Sequence, residues 1–234
     1  MDEPAGFHPI GALKLLNVQD PQAQDLHLNS CLSRDLVVAA FPNTLYFFSL
    51  SDRIRTTTPT VYTVALSRAV SFISLSKDGS FLATLSSNSQ SVLDIYHISN
   101  PLSSSPSKVA SHSFNLRCSS ISFHKNLIFL SSDSSLLCLK FENRSLSLLH
   151  EVDLPVPVIS STLSPNSPLL ALSSSTGSII IVDFDPSGSN PPDVLPSTIN
   201  VPSPTSMVWC LTPDRSKTVL CVGSTQSSSI SVFS

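Results

Sequence analysis

The sequence predicts an all-β fold built from one repeated four-stranded unit, a β-propeller. Three observations predict it. Helical periodicity is almost absent. Short apolar runs alternate with clusters of Ser, Asn, Asp, Pro and Gly, many with the period of two that a strand requires, as in Ser119-Ser120-Ile121-Ser122-Phe123. The runs then return in the same order at a spacing of about 40–45 residues, the length of one propeller blade.

The clearest copy opens with a strand at Val70–Ser76, turns at Lys77-Asp78-Gly79, and continues through strands at Phe81–Leu85 and Val92–His97 to a more polar stretch, Lys108–Phe114. The order repeats at Val158–Leu163, Leu169–Ser173 and Ile179–Phe184. Weaker copies carry strands at Leu36–Ala40 and Leu45–Phe48, at Leu127–Leu130 and Leu136–Leu139, and at Met207–Leu211, Val219–Val222 and Ile230–Phe233. The second strands start at Leu36, Phe81, Leu127, Leu169 and Val219, steps of 45, 46, 42 and 50 residues. Inner strands are apolar because neighbouring blades sandwich them, and the polar fourth strand is assigned to the outside.

Five copies are visible, and the fifth stops after its third strand. The expected organisation is one propeller domain over 1–234, with blades over 27–234 and a closing strand and linker over 1–26. Leu13–Val18 is the candidate closing strand, pairing with the chain's end or with a further blade. The expected ring is therefore closed at five blades, an incomplete part of a wider one, or completed by a partner.

Composition narrows the function. The net charge is −3 and only 12 % of the 234 residues are charged, with no basic run, so neither direct nucleic-acid contact nor attraction to anionic membranes is expected. No apolar stretch approaches the ~20 residues of a membrane-spanning helix. The opening Met1-Asp2-Glu3-Pro4 lacks the basic-then-apolar order of a secretory signal, which places the protein inside the cell, in nucleus or cytoplasm. Five cysteines, Cys31, Cys118, Cys138, Cys210 and Cys221, fit buried reduced thiols in that setting.

The copies resemble WD40 repeats in layout. Ser76–Ala83 and Ser164–Ala171 are similar to that family's first hairpin. The Trp-Asp ending of its third strand is replaced by Phe48-Ser49, Tyr96-His97, Leu139-Lys140, Val182-Asp183 and Phe233-Ser234, and no Gly-His pair precedes any copy. The resemblance therefore implies the architecture without the family's buried His–Asp network. Over about the first 190 residues the chain also resembles the N-terminal propeller of the cytoplasmic-face nucleoporin that recruits the mRNA-export DEAD-box helicase. The similar features are the opening Ala12–Val18, the degenerate copy Leu36–Leu50, and the hairpins Leu75–Ala83 and Leu163–Ala171. That likeness implies a nuclear-pore location, with a DEAD-box helicase or other nucleoporins as partners. It carries over no functional residue.

No catalytic motif is present. The six glycines form no phosphate-cradling loop and no Gly-x-Ser-x-Gly elbow. His97 and His112 are placed on strands and His124 in a turn, and no histidine has metal-ligand spacing, so neither a metal nor a cofactor is expected. Asp183 beside Asp185 reads as a solvated strand end, and Trp209 as core. Binding is expected on loops. The connection between blades and the loop between second and third strands open on one rim, which gathers Arg68, Arg117 and Asp133 as candidate partner-binding residues. The expected function is a non-catalytic protein-interaction scaffold. A permanent structural subunit of a large complex is the alternative. A propeller glycosidase or lyase would need carboxylates or histidines converging on the axis, where the inner strands read Val70-Ser71-Phe72 and Ile121-Ser122-Phe123.

Overall fold

In a computed structural model, the described residues are 36–41, 43–49, 61–87, 90–99, 105–212, 217–224, 226 and 229–233. They form strands and turns, with no helix among them. The expected Leu13–Val18 strand and the Pro213–Ser216 turn lie outside the described residues.

Five antiparallel meanders follow one another along the chain. Sheet 1 contains β1 (Leu36–Phe41), β2 (Thr44–Ser49) and β3 (Val61–Ala65). Sheet 2 contains β4 (Phe72–Leu75), β5 (Phe81–Ser87), β6 (Ser91–His97) and β7 (Ser107–Phe114). Sheet 3 contains β8 (Cys118–His124), β9 (Leu127–Ser132), β10 (Ser135–Glu142) and β11 (Ser145–Asp153). Sheet 4 contains β12 (Val158–Leu163), β13 (Leu169–Ser174), β14 (Ser178–Asp183) and β15 (Asp193–Asn200), and sheet 5 β16 (Pro204–Leu211), β17 (Thr218–Ser224) and β18 (Ser229–Phe233). The first strands β4, β8, β12 and β16 stand beside one another and line one central cavity of about 340 Å³, so the sheets are the blades of a propeller.

The wall of that cavity presents Ser74, Ser122, Ser161 and Thr162 among apolar neighbours. Between blades the core is continuous. Phe47 and Leu45 of sheet 1 pack with Leu75 and Leu82 of sheet 2. Leu93 and Ile95 of sheet 2 pack with Leu130 and Leu139 of sheet 3. Phe129 and Leu136 of sheet 3 pack with Leu172 and Val182 of sheet 4, and Ile179 of sheet 4 with Leu220 and Val222 of sheet 5. No buried cluster among the described residues joins sheet 5 to sheet 1. The outer strands β7 and β11 are mostly exposed, and β15 carries Pro196, which has no N–H to offer at an edge.

One expectation changes. His124 is the last residue of β8 rather than part of a turn, and its half-buried ring packs edge-on against Phe184 at 5.2 Å. Serine is also a core residue. Among the described residues twelve serines are buried, Ser91, Ser132, Ser174 and Ser224 being four of them. A hydroxyl is small enough to sit between stacked sheets and can bond locally. Ser174 Oγ accepts from the Thr176 and Ser178 amides at 3.1 and 3.3 Å, and Ser132 Oγ accepts from the Ser135 amide at 3.1 Å. No buried side-chain polar atom among the described residues lacks a partner.

Candidate partner-binding site

The inner strands β8, β12 and β16 each open on a bulge. Cys118 pairs with Ser132 but Ser120 with Ser131; Val158 pairs with Ser174 but Ser160 with Ser173; Pro204 pairs with Ser224 but Ser206 with Gly223. The extra residues are Ser119, Ile159 and Thr205. A bulge bends its strand and re-aims a side chain. Behind two of the bulges a cross-strand hydroxyl pair fixes the register, Ser160 to Ser173 at 2.7 Å and Ser120 to Ser131.

The consequence is a cleft of about 400 Å³ at the rim where β4, β8 and β12 begin. Ser119 and Ile159 line it from their bulges, Arg117 from the β7–β8 connection, and Asp133 from the β9–β10 loop, with Phe72 beside them. Arg117 and Asp133 are exposed, and neither has an ion-pair partner among the described residues. Ile159 is 44 % exposed, an apolar surface at the cleft mouth. The arrangement offers a guanidinium fork, a carboxylate and an apolar contact within one concavity, a set suited to a protein surface.

Of the three rim residues read from the sequence, the structure thus brings two together. Arg68 is exposed in the β3–β4 connection but does not line the cleft. Its charge acts instead on the Tyr96 phenol, whose pKa is raised by burial and by Asp94 while Arg68 pulls it the other way. Ile159 was not legible in the sequence, since it reads there as an ordinary strand residue.

Other singled-out residues have structural roles. Asp185 closes its own turn: its carboxylate accepts from the Ser187 amide and hydroxyl at 2.8 Å each and from Asn190, and these bonds hold it below the usual carboxylate range. The Trp209 indole donates to the Thr162 carbonyl at 3.2 Å, tying sheet 5 to sheet 4. Burial pushes the Cys118 thiol up to about 11, against a smaller opposing effect of Ser91, and burial alone does the same at Cys138. Neither sulfur is a thiolate near neutral pH. No group of three or more His, Cys, Asp or Glu positioned to hold a metal occurs among the described residues.

No family model and no curated protein matches the chain. Its fold does match solved structures. A chain from the crystal structure of the mitotic checkpoint complex superposes with a TM-score of 0.60 at 13 % identity, over 86 % of this chain and 59 % of that one. The chain thus spans about three-fifths of that neighbour. At this identity the likeness carries the architecture alone, and with 1159 solved chains matching, it selects no partner. The succession of meander blades, together with this superposition, gives the chain a WD40-like β-propeller fold.

Proposed function

We propose that this propeller is an intracellular, non-catalytic interaction platform that receives a protein partner on the rim where its inner strands begin. The observation that carries the reading is the convergence of Arg117, Asp133 and the exposed Ile159 on one cleft. The axial cavity supports it from another side, since its lining is hydroxyl and apolar with no carboxylate or imidazole among the described residues. Affinity purification from the source cell with wild type and with Arg117→Ala/Ile159→Asp is the test. Both sites are at the surface, so the fold is retained. Loss of a co-purifying protein from the double variant supports the reading, and identical recovery moves the partner elsewhere. Arg68→Ala is expected to leave recovery unchanged, because Arg68 stands outside the cleft.

The finer reading, a nuclear-pore platform for a DEAD-box helicase or other nucleoporins, is supported by the resemblance of the Leu75–Ala83 and Leu163–Ala171 hairpins to that propeller. Co-purification of pore components tests it.

A second reading, a permanently assembled structural subunit, draws on sheet 5. Val208, Ile230 and Val232 are 51, 72 and 61 % exposed on the same face of that sheet, opposite the one packed on sheet 4. A uniform native particle of fixed stoichiometry would favour this reading over a reversible platform.

A further inference from the structure

The opposite rim holds a second concavity that the reading above does not use. A cavity of about 340 Å³ lies between sheets 2 and 3, at the end where β6 and β8 finish. Its floor is apolar and aromatic. Phe81 and Phe141 meet edge to face at 5.0 Å, and the His97 ring stands 5.3 Å from Phe81. Its lip is cationic: Lys125 and Arg144 both line it, both are exposed, and neither has an ion-pair partner among the described residues. The one carboxylate at the lip, Glu142, is already held by Lys140 at 2.8 Å.

The placement of those two cations runs against turn chemistry. Lys125-Asn126 and Asn143-Arg144 are two-residue hairpin loops, closed by the His124–Leu127 and Glu142–Ser145 pairs. In the first loop only Lys125 has a positive φ, 54°, the position that favours glycine in a type II′ turn. In the second, Asn143 and Arg144 have φ of 52° and 60°, a type I′ turn in which glycine normally follows asparagine. Each hairpin therefore puts a long cation where the backbone prefers no side chain. Three of the four non-glycine residues with positive φ among the described ones surround this cavity. Local strain concentrated at a concavity points to a functional gain that offsets it.

We propose that this cavity docks an acidic peptide segment of a partner protein, with one aromatic or large aliphatic side chain seated on Phe81 and Phe141 and flanking carboxylates held by Lys125 and Arg144. Charge complementarity selects the occupant, since the lip offers two unpaired cations and the floor offers only apolar contact. Together with the cleft on the other rim, it would let one propeller hold two partners at once.

The test uses the full chain and a phage-displayed library of random nonapeptides. Selection on wild type is expected to enrich peptides with an aromatic or aliphatic residue between Asp and Glu. Their affinity, read by fluorescence anisotropy, should fall at least tenfold in Lys125→Gly/Arg144→Gly and fall with rising salt. That variant restores the preferred turn residues and is expected to melt no lower than wild type, so lost binding cannot be traced to misfolding. Lys125→Arg/Arg144→Lys should retain binding, and Arg117→Ala on the other rim should not alter it. Enrichment of non-acidic peptides, no enrichment, or acidic peptides whose binding survives the glycine variant would each overturn the proposal.

Discussion

Ser122 Oγ lies 2.8 Å from Ser161 Oγ, a hydroxyl–hydroxyl hydrogen bond that joins β8 of sheet 3 to β12 of sheet 4 at the wall of the axial cavity. It adds a polar link to a blade interface whose buried core is otherwise apolar. Removing either hydroxyl leaves its partner part-buried and unpaired, so Ser122→Ala and Ser161→Ala should each cost about 1 kcal/mol in urea unfolding. The double variant should cost clearly less than the two added. Strict additivity would mean that the two hydroxyls do not act as a pair.

Gly177 has φ of +93°, and a Cβ there would stand 2.9 Å from the Val201 carbonyl oxygen, which is backbone and cannot swing away. Gly177→Ala should therefore destabilise the domain by more than about 1 kcal/mol, the left-handed penalty alone accounting for that much. Gly223→Ala is the control. The Cβ there meets the Ser206 hydroxyl at 2.7 Å, a rotatable group, and a smaller loss of stability is expected. Equal losses in thermal melts would show that backbone contact at Gly177 is not what distinguishes the two.

Two aspartates should make stability fall at acid pH. At Asp78, partial burial works to raise the pKa, but bonds from Ser76 and Ser80 outweigh it and hold the carboxyl below the ordinary 3.8. At Asp185 the bonds from Ser187 lead, with those from Asn190 adding to them. Because the folded-state values are depressed, the stabilisation is fully present above the unfolded value and is lost as pH falls through the folded one. Carboxyl resonances followed by NMR should titrate below the usual aspartate midpoint at both residues. In Ser76→Ala the Asp78 midpoint should rise, and an unmoved midpoint would remove Ser76 as the cause.

Thiol reactivity should divide by burial. Cys118 and Cys138 are 1 and 2 % exposed with thiols pushed up to about 11. At pH 8 only about one molecule in a thousand would carry the reactive thiolate at either site. Cys210 and Cys221 are half-buried on sheet 5, the Cys221 thiol raised by burial and by its contact with Cys210. Iodoacetamide followed by peptide mass mapping should label Cys210 well before Cys118 or Cys138 in the folded protein. Comparable rates at all three would contradict the burial of Cys118 and Cys138 within sheet 3.

The repeat was legible because a blade is a local object. The starts read for the second strands at Leu36, Phe81, Leu127 and Leu169 are the starts of β1, β5, β9 and β13. The fourth strands were harder to read. β11 and β15 mix many polar residues into exposed outer edges, so hydrophobic alternation hardly marks them. The arginine–aspartate half of the rim site followed from topology, since connections and second-to-third loops open on one side. That rule could not separate Arg68 from the cleft, because it places loops without fixing where a long side chain reaches.

Period, alternation and turn residues by themselves determined an all-β repeat, its strand order and the rim on which Arg117 and Asp133 lie. Only the tertiary structure decided that Ile159 joins them, and that Lys125 and Arg144 crown an aromatic cavity on the other rim. The reason is physical. A bulge is a mismatch between two strands, recorded in neither sequence alone, and a cavity between blades is made by side chains that only inter-sheet packing brings face to face.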